Sequence, residues 1–275
     1  MSILCPNCGK LISEDEHRCP YCGISSPGSR WRRGAFTRTY LNQDNIIKTI
    51  IIINALLFTV SILLSSPLRG ISANLFLLFS PSQDALLLLG ATGTVPIDQF
   101  QRWWTLISAS YLHGGILHIF FNMAALSQIG PFILREYGLH RWIIIYTIGG
   151  AIGFFVSYVA GVPFTIGASA SICALIGSAL YYGKSRGGVY GETIYKQLIG
   201  WVIGLFLFGL LVSGVNNWGH GGGILGGIFL GYSLGYNERK AETYFHKRVA
   251  AFCIMGTAVI LLWALLSSFY YRFLL

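Results

Sequence analysis

Seven apolar runs alternate with polar connections along the chain, near 46–66, 114–134, 141–160, 166–183, 196–214, 218–236 and 249–269. Each is about 20 residues long, enough to cross a bilayer. Each predicts a membrane-spanning helix, because a helix satisfies its own backbone polar groups in lipid. The connection over about 67–113 carries the apolar patches "LFLLF" and "ALLLLG", broken by Pro81. These patches predict segments lying in the membrane interface. Residues 1–27 break the pattern: they are polar and hold two CxxC pairs. A basic linker with Arg30, Arg32, Arg33 and Arg38 follows over 28–45.

Composition supports a membrane protein. Of 275 residues, 54% are hydrophobic and 11% charged, whereas a soluble domain carries roughly a quarter charged residues. The formal net charge of +9 is read as contact with the headgroups of the lipid bilayer, with no nucleic acid as a partner. The first apolar run starts near Ile46, so no secretory signal peptide is expected. Cations sit before span 1 and in alternate connections: Arg135 and Arg141; Lys184, Arg186 and Lys196; Arg239, Lys240, Lys247 and Arg248. By the positive-inside rule the N-terminus is cytoplasmic and the chain ends outside.

Cys5, Cys8, Cys19 and Cys22 suit four thiolates around one tetrahedral Zn2+. Two disulfides or a redox pair compete with that reading, but this end is expected in the reducing cytosol. So small a module needs a metal or crosslinks to fold. It is expected to bind a cytoplasmic partner, to position the tail, or to serve as a small cap. Cys173 and Cys253 stand alone in apolar runs and read as packing residues.

None of the ten carboxylates lies inside an apolar run. That excludes an intramembrane aspartyl protease and leaves a transporter or channel without an intramembrane acid for ion coupling. No HExxH occurs either. What remains at depth is His118, Asn122, Ser169 and His220, all in the outer third of spans 2, 4 and 6. A histidine within a span is a functional candidate or a helix-to-helix hydrogen bond. His118 and Asn122 are four apart and share a helix face; their donors suit an oxyanion hole. Gly219, Gly223, Gly227, Gly231 and Gly235 recur every fourth residue around His220. Such a stripe lets another backbone approach, and span 4 offers Ser169, Cys173 and Gly177. Ser169 and Ser171 are about 200° apart on a helix, so only one faces span 6. Ser169 heads the small-residue face and is chosen; Ser171 is expected to bond back to a carbonyl one turn earlier. An imidazole activating a serine, with no carboxylate available, predicts a Ser–His dyad for acyl transfer.

Together "WW" at 103–104, "YLHGGILHIFFNM" at 111–123, "GASAS" at 167–171 and "GHGGGILGG" at 219–227 resemble the rhomboid family of intramembrane serine proteases. The resemblance covers about 46–236. It implies an all-α polytopic membrane protein: a six-helix core over 46–236, and an additional seventh transmembrane helix within 237–275. A zinc-ribbon-like module at 1–27 precedes them. It implies Ser169 as nucleophile and His220 as general base, with no cofactor for catalysis. His118, Asn122 and the Ser169 backbone N–H would form the oxyanion hole. Substrates would be transmembrane proteins cleaved in or near their membrane segment, at a site opening to the extracytoplasmic side. Three positions depart from the family pattern. Ala170 follows the serine in place of glycine, so its methyl group either separates the helices or is accommodated. Cys173 replaces an aromatic beneath the histidine. Trp104-Thr105 stands for Trp-Arg, with Arg102 close by. Ala170 and Cys173 motivate the alternative reading, a catalytically inactive relative that binds transmembrane helices of client proteins.

Overall fold

The computed structural model describes residues 2–5, 10–23, 25–26, 43–65, 79–212 and 214–273. The chain divides into two compact units, Met1–Ile46 and Ile47–Leu275. The basic residues of the linker and most of "LFLLF" lie outside the described residues.

In the first unit, strands β1 (Ser2–Leu4) and β2 (Leu11–Ser13) pair antiparallel with Ile3 opposite Ile12. Ile12 is buried with Cys5 and Cys19, and Ile3 and Cys22 pack against them. So few apolar side chains make a core too small to hold a fold unaided.

The second unit is helical. Its long helices are α1 (Gln43–Leu64), α4 (Ile116–Tyr137), α5 (Leu139–Val159), α6 (Ser169–Arg186), α7 (Gly188–Leu211), α8 (Asn217–Leu234) and α9 (Tyr244–Phe273). Two short helices, α2 (Gln83–Leu88) and α3 (Thr105–Ser108), lie in the long first connection. The seven long helices overlap the seven apolar runs, so this is a mostly helical, multi-pass membrane protein. Helices α1, α4, α5, α7 and α9 are each long and apolar enough to cross a membrane. The other two, α6 and α8, are rich in small residues; α6 lies in the interior, while α8 buries its glycine face and exposes Trp218, Leu225, Phe229 and Tyr232. Helix α6 is buried along most of its length and packs on α8, α5 and α7. Helix α7 buries only Gly191 and Leu198, while Ile203, Phe206, Leu207 and Leu210 stand exposed. A lipid-facing surface of that kind is what a membrane solvent permits.

The first connection is packed into the protein. Ala85, Leu86 and Leu89, all from "ALLLLG", are buried, so this patch packs against the protein. Polar anchors draw it inward. Ser108 Oγ donates to the Gly90 carbonyl at 2.8 Å, and Arg102 Nη1 to that of Leu87 at 3.0 Å. Thr92 and Thr165 exchange backbone hydrogen bonds, which ties the connection to the segment leading into α6.

At the opposite end of the bundle, Glu242 caps α5. Its carboxylate accepts from the backbone N–H groups of His140 (2.9 Å) and Arg141 (3.1 Å), and meets His140 Nδ1 at 2.8 Å. These are donors that a helix N-terminus leaves unpaired. The buried Arg141 donates to the carbonyls of Gly235 and Lys240, both at 2.6 Å. One cluster thus joins the start of α5, the end of α8 and the connection into α9. Burial works to raise the Glu242 carboxyl, but the hydrogen bond and charge of His140 and the Arg141 N–H and charge outweigh it. The net position is below the ordinary value. A carboxyl held low stabilises the fold above its unfolded-state pKa and loses that contribution as pH falls through its folded value. Glu242→Gln is expected to lower stability by about 1.5–3 kcal/mol near neutral pH. Thermal unfolding across pH in detergent checks this: the gap between wild type and variant should close on acidification.

Candidate active site and metal centre

The candidate active site forms where α6 and α8 begin. Ser169 is the first residue of α6 and His220 the fourth of α8. The His220 Nε2 atom lies 2.9 Å from Ser169 Oγ. The nearness follows from the glycine seam below. A Cβ on Gly223 would lie 2.4 Å from the Ala170 carbonyl oxygen, one on Gly227 1.9 Å from that of Ala174, and one on Gly177 2.1 Å from that of Ile224. The backbones of α6 and α8 therefore touch, and any side chain at these positions would part them. The seam runs along Ala170, Cys173, Ala174 and Gly177 of α6, so Cys173 packs in the seam. The Ala170 methyl group is accommodated: it packs with Ala109 and Phe154 and faces Gly153 of α5.

His220 is buried, and its Nδ1 has no hydrogen-bond partner among the described residues. The pair thus has no third member there. His118 stands on the other side of Gly167, which has φ +124°, a backbone conformation that side chains resist. A Cβ on Gly167 would lie 2.7 Å from His118 Nε2 and 3.6 Å from Ser169 Oγ, so that glycine also makes room for the imidazole. The Gly114 backbone N–H donates to His118 Nδ1 at 3.3 Å. In a neutral ring this leaves the proton on Nε2, the nitrogen beside Gly167. Asn122 is buried and donates from Nδ2 to the His118 carbonyl at 2.9 Å. Among the described residues no hydrogen bond joins Asn122 to Ser169 or His220.

Ser171 points elsewhere, as helical spacing requires, but does not bond to its own helix. Its hydroxyl donates to Ser110 Oγ at 3.1 Å, a partner 61 residues away. Two further residues at the site escaped sequence reasoning. His113 is fully buried, its ring 5.0 Å from that of His118. Its only signal is the five-residue step to His118 in "HGGILH". Asn216 precedes α8 and caps it, accepting from Gly219 N–H at 3.0 Å; a polar residue before a glycine-rich helix is the signal there.

In the first unit the sulfur atoms of Cys5, Cys19 and Cys22 all lie within 4.8 Å of one another, and no disulfide joins them. Cys5 Sγ and Cys22 Sγ are 3.7 Å apart. Thiolates about 2.3 Å from a tetrahedral zinc would be separated by about 3.8 Å, so these three fit a shared ion. Cys8 lies outside the described residues.

Residues 101–237 match the Rhomboid domain and residues 4–25 a zinc-ribbon domain. The chain is similar to the Rhomboid protease GluP of Bacillus subtilis (strain 168), 34% identical over 180 residues. That match covers 66% of this chain and 35% of GluP, so this chain spans about a third of that relative's length. YdcA of the same organism, whose name carries the same family, is 30% identical over 134 residues, covering 48% of this chain and 67% of YdcA. RHOMBOID-like protein 5 of Arabidopsis thaliana is 34% identical over 163 residues, covering 58% of this chain and 52% of that protein.

The seam makes a sharp prediction. Gly227→Ala should destabilise the bundle by about 1–3 kcal/mol, the usual cost of overpacking. Gly221→Ala, where a Cβ meets nothing within 4 Å, should leave thermal unfolding near the wild-type value.

Proposed function

This chain belongs to the rhomboid family, and on that premise we propose that it is an intramembrane serine endopeptidase working through a Ser169–His220 dyad. The observation that carries the proposal is the 2.9 Å approach of His220 Nε2 to Ser169 Oγ. Neutral His220 takes the hydroxyl proton as Ser169 Oγ attacks a substrate peptide carbonyl. The tetrahedral intermediate collapses, the C–N bond breaks, and the imidazolium returns its proton to the leaving amine. Water then hydrolyses the acyl-enzyme by the same route. The oxyanion is met by His118 Nε2–H, the remaining Asn122 N–H and the Ser169 backbone N–H at the start of α6. The hydrogen bond from Gly114 supports the donor role of His118, since it holds the proton on Nε2, the nitrogen beside Gly167.

Substrates are transmembrane proteins cleaved in or near the membrane. The groove between α4 and α7, lined by Phe132, Leu198 and Trp201 with Gln128 and Gln197, supports approach from the bilayer. The N-terminus and the Glu242 cluster lie on the cytoplasmic side, and the dyad opens to the other side. Arg135, Lys184, Arg186, Arg239 and Lys240 at the ends of α4, α6 and α8 support that orientation. The inactive reading rested on Ala170 and Cys173, yet the Ala170 methyl group is housed over Gly153 and the dyad remains in reach.

We divide the chain into a zinc module at 1–27, a basic linker at 28–45, the protease core at 46–236 and a connection with its added helix at 237–275. Cys5, Cys8, Cys19 and Cys22 hold one Zn2+, which locks the small module into a fold that presents a surface to a cytoplasmic partner. The metal plays no part in peptide cleavage.

Ser169→Ala and His220→Ala should each lower cleavage of a membrane-anchored substrate by at least about 10³-fold. Both should still insert, and a fluorophosphonate probe should label wild type alone; undiminished cleavage by either variant would overturn the assignment. Elemental analysis of purified protein should find one zinc per chain, lost in a Cys5→Ser, Cys19→Ser double variant whose protease activity on a detergent-solubilised substrate is retained.

A further inference from the structure

We infer that Asn216 is a positioning residue for the dyad, an inference that rests on the Ser169–His220 reading above. Asn216 is the residue before α8, one helical turn ahead of His220. Its Oδ1 accepts from Gly219 N–H at 3.0 Å, and its carbonyl oxygen accepts from His220 N–H at 3.1 Å. A helix cap requires no more than that, and a serine or aspartate would supply it.

The donor side of the carboxamide does something a cap does not require. Asn216 Nδ2 donates to Ser157 Oγ at 2.6 Å and to Thr165 Oγ1 at 2.9 Å. Ser157 is fully buried near the end of α5. Thr165 lies four residues before Ser169, on the segment that pairs with Thr92. A single side chain therefore ties three elements together: the helix that carries His220, the strand-like segment that delivers Ser169, and the helix packed behind both. Three of the four hydrogen bonds open to a carboxamide are used.

Position along the seam explains why such a tie matters. The contact between α6 and α8 backbones begins at Ala170 and Gly223 and continues downward. Ser169 and His220 sit at its mouth, beyond the first of these contacts. Two helices in contact along a seam can still splay at its end. The Asn216 bridge closes that end, holding the segment before Ser169 against the start of α8.

The test separates bridge from cap. Asn216→Ser keeps a capping oxygen but is too short to reach Ser157 and Thr165. Thr165→Val removes one acceptor at nearly constant shape. For each, the rate of fluorophosphonate labelling, kcat and KM on a membrane-anchored substrate, and the thermal unfolding midpoint are measured. Asn216→Ser should slow labelling by about tenfold, in line with the cost of sub-ångström misplacement of reacting groups. The kcat should fall in step while KM and the midpoint hold. Thr165→Val should slow labelling less, and the double variant should be no slower than Asn216→Ser alone, because both remove the same bridge. Wild-type rates in both single variants, losses that multiply in the double variant, or losses that appear only with a lowered midpoint would each overturn the inference. Labelling that persists in Ser169→Ala would instead overturn the dyad reading on which it rests.

Discussion

Contact between the backbones of α6 and α8 is the constraint from which the rest of the membrane bundle follows. In lipid, apolar side chains gain little by leaving the solvent, so helices associate through close packing and hydrogen bonds. Glycine at 223 and 227 on one helix, and at 177 on the other, removes the side chains that would hold the axes apart. The same contact brings a hydroxyl and an imidazole from different helices within hydrogen-bonding distance. It extends to α5, whose Gly149, Gly150 and Gly153 receive Ala174, Ser171 and Ala170. The added methyl of Ala170 is tolerated because the space comes from the helix opposite.

Polar groups placed at the two ends of the bundle complete the frame. Around Arg141 and Glu242, charged side chains satisfy the termini of two helices and hold the connection into α9. At the end of α4, Tyr137 donates to the Ser178 carbonyl at 2.8 Å. At the mouth of the seam the carboxamide of Asn216 spans three elements. A buried polar group costs free energy unless it is paired, and here the paired ones lie where helices begin, end or cross. These few directional bonds add to the close packing of the seam in ordering the interior.

Much of this was legible in the sequence. Span length and apolarity located the helices to within a few residues, apart from α7 and α9, which start earlier than their apolar cores. The four-residue glycine period marked the seam, and helical geometry separated Ser169 from Ser171. What escaped shares one physical cause: the partner lies far along the chain. Ser171 finds Ser110, Arg141 finds Gly235 and Lys240, and Asn216 finds Ser157 and Thr165. Local pattern carries no trace of such pairings. The packing of the "ALLLLG" patch was hidden for a related reason, since an apolar stretch faces protein or lipid according to what surrounds it.

The seam helices α6 and α8 are the two long helices outside the five that are long and apolar enough to cross a membrane. Their glycines and serines serve contact: in the folded bundle their buried faces lie against each other and against α5. For these two helices, residence in the membrane and tertiary packing are coupled, because the same small residues that permit contact lower their apolarity. The 2.9 Å approach of His220 to Ser169 is accordingly a property of the assembled bundle and of neither helix alone.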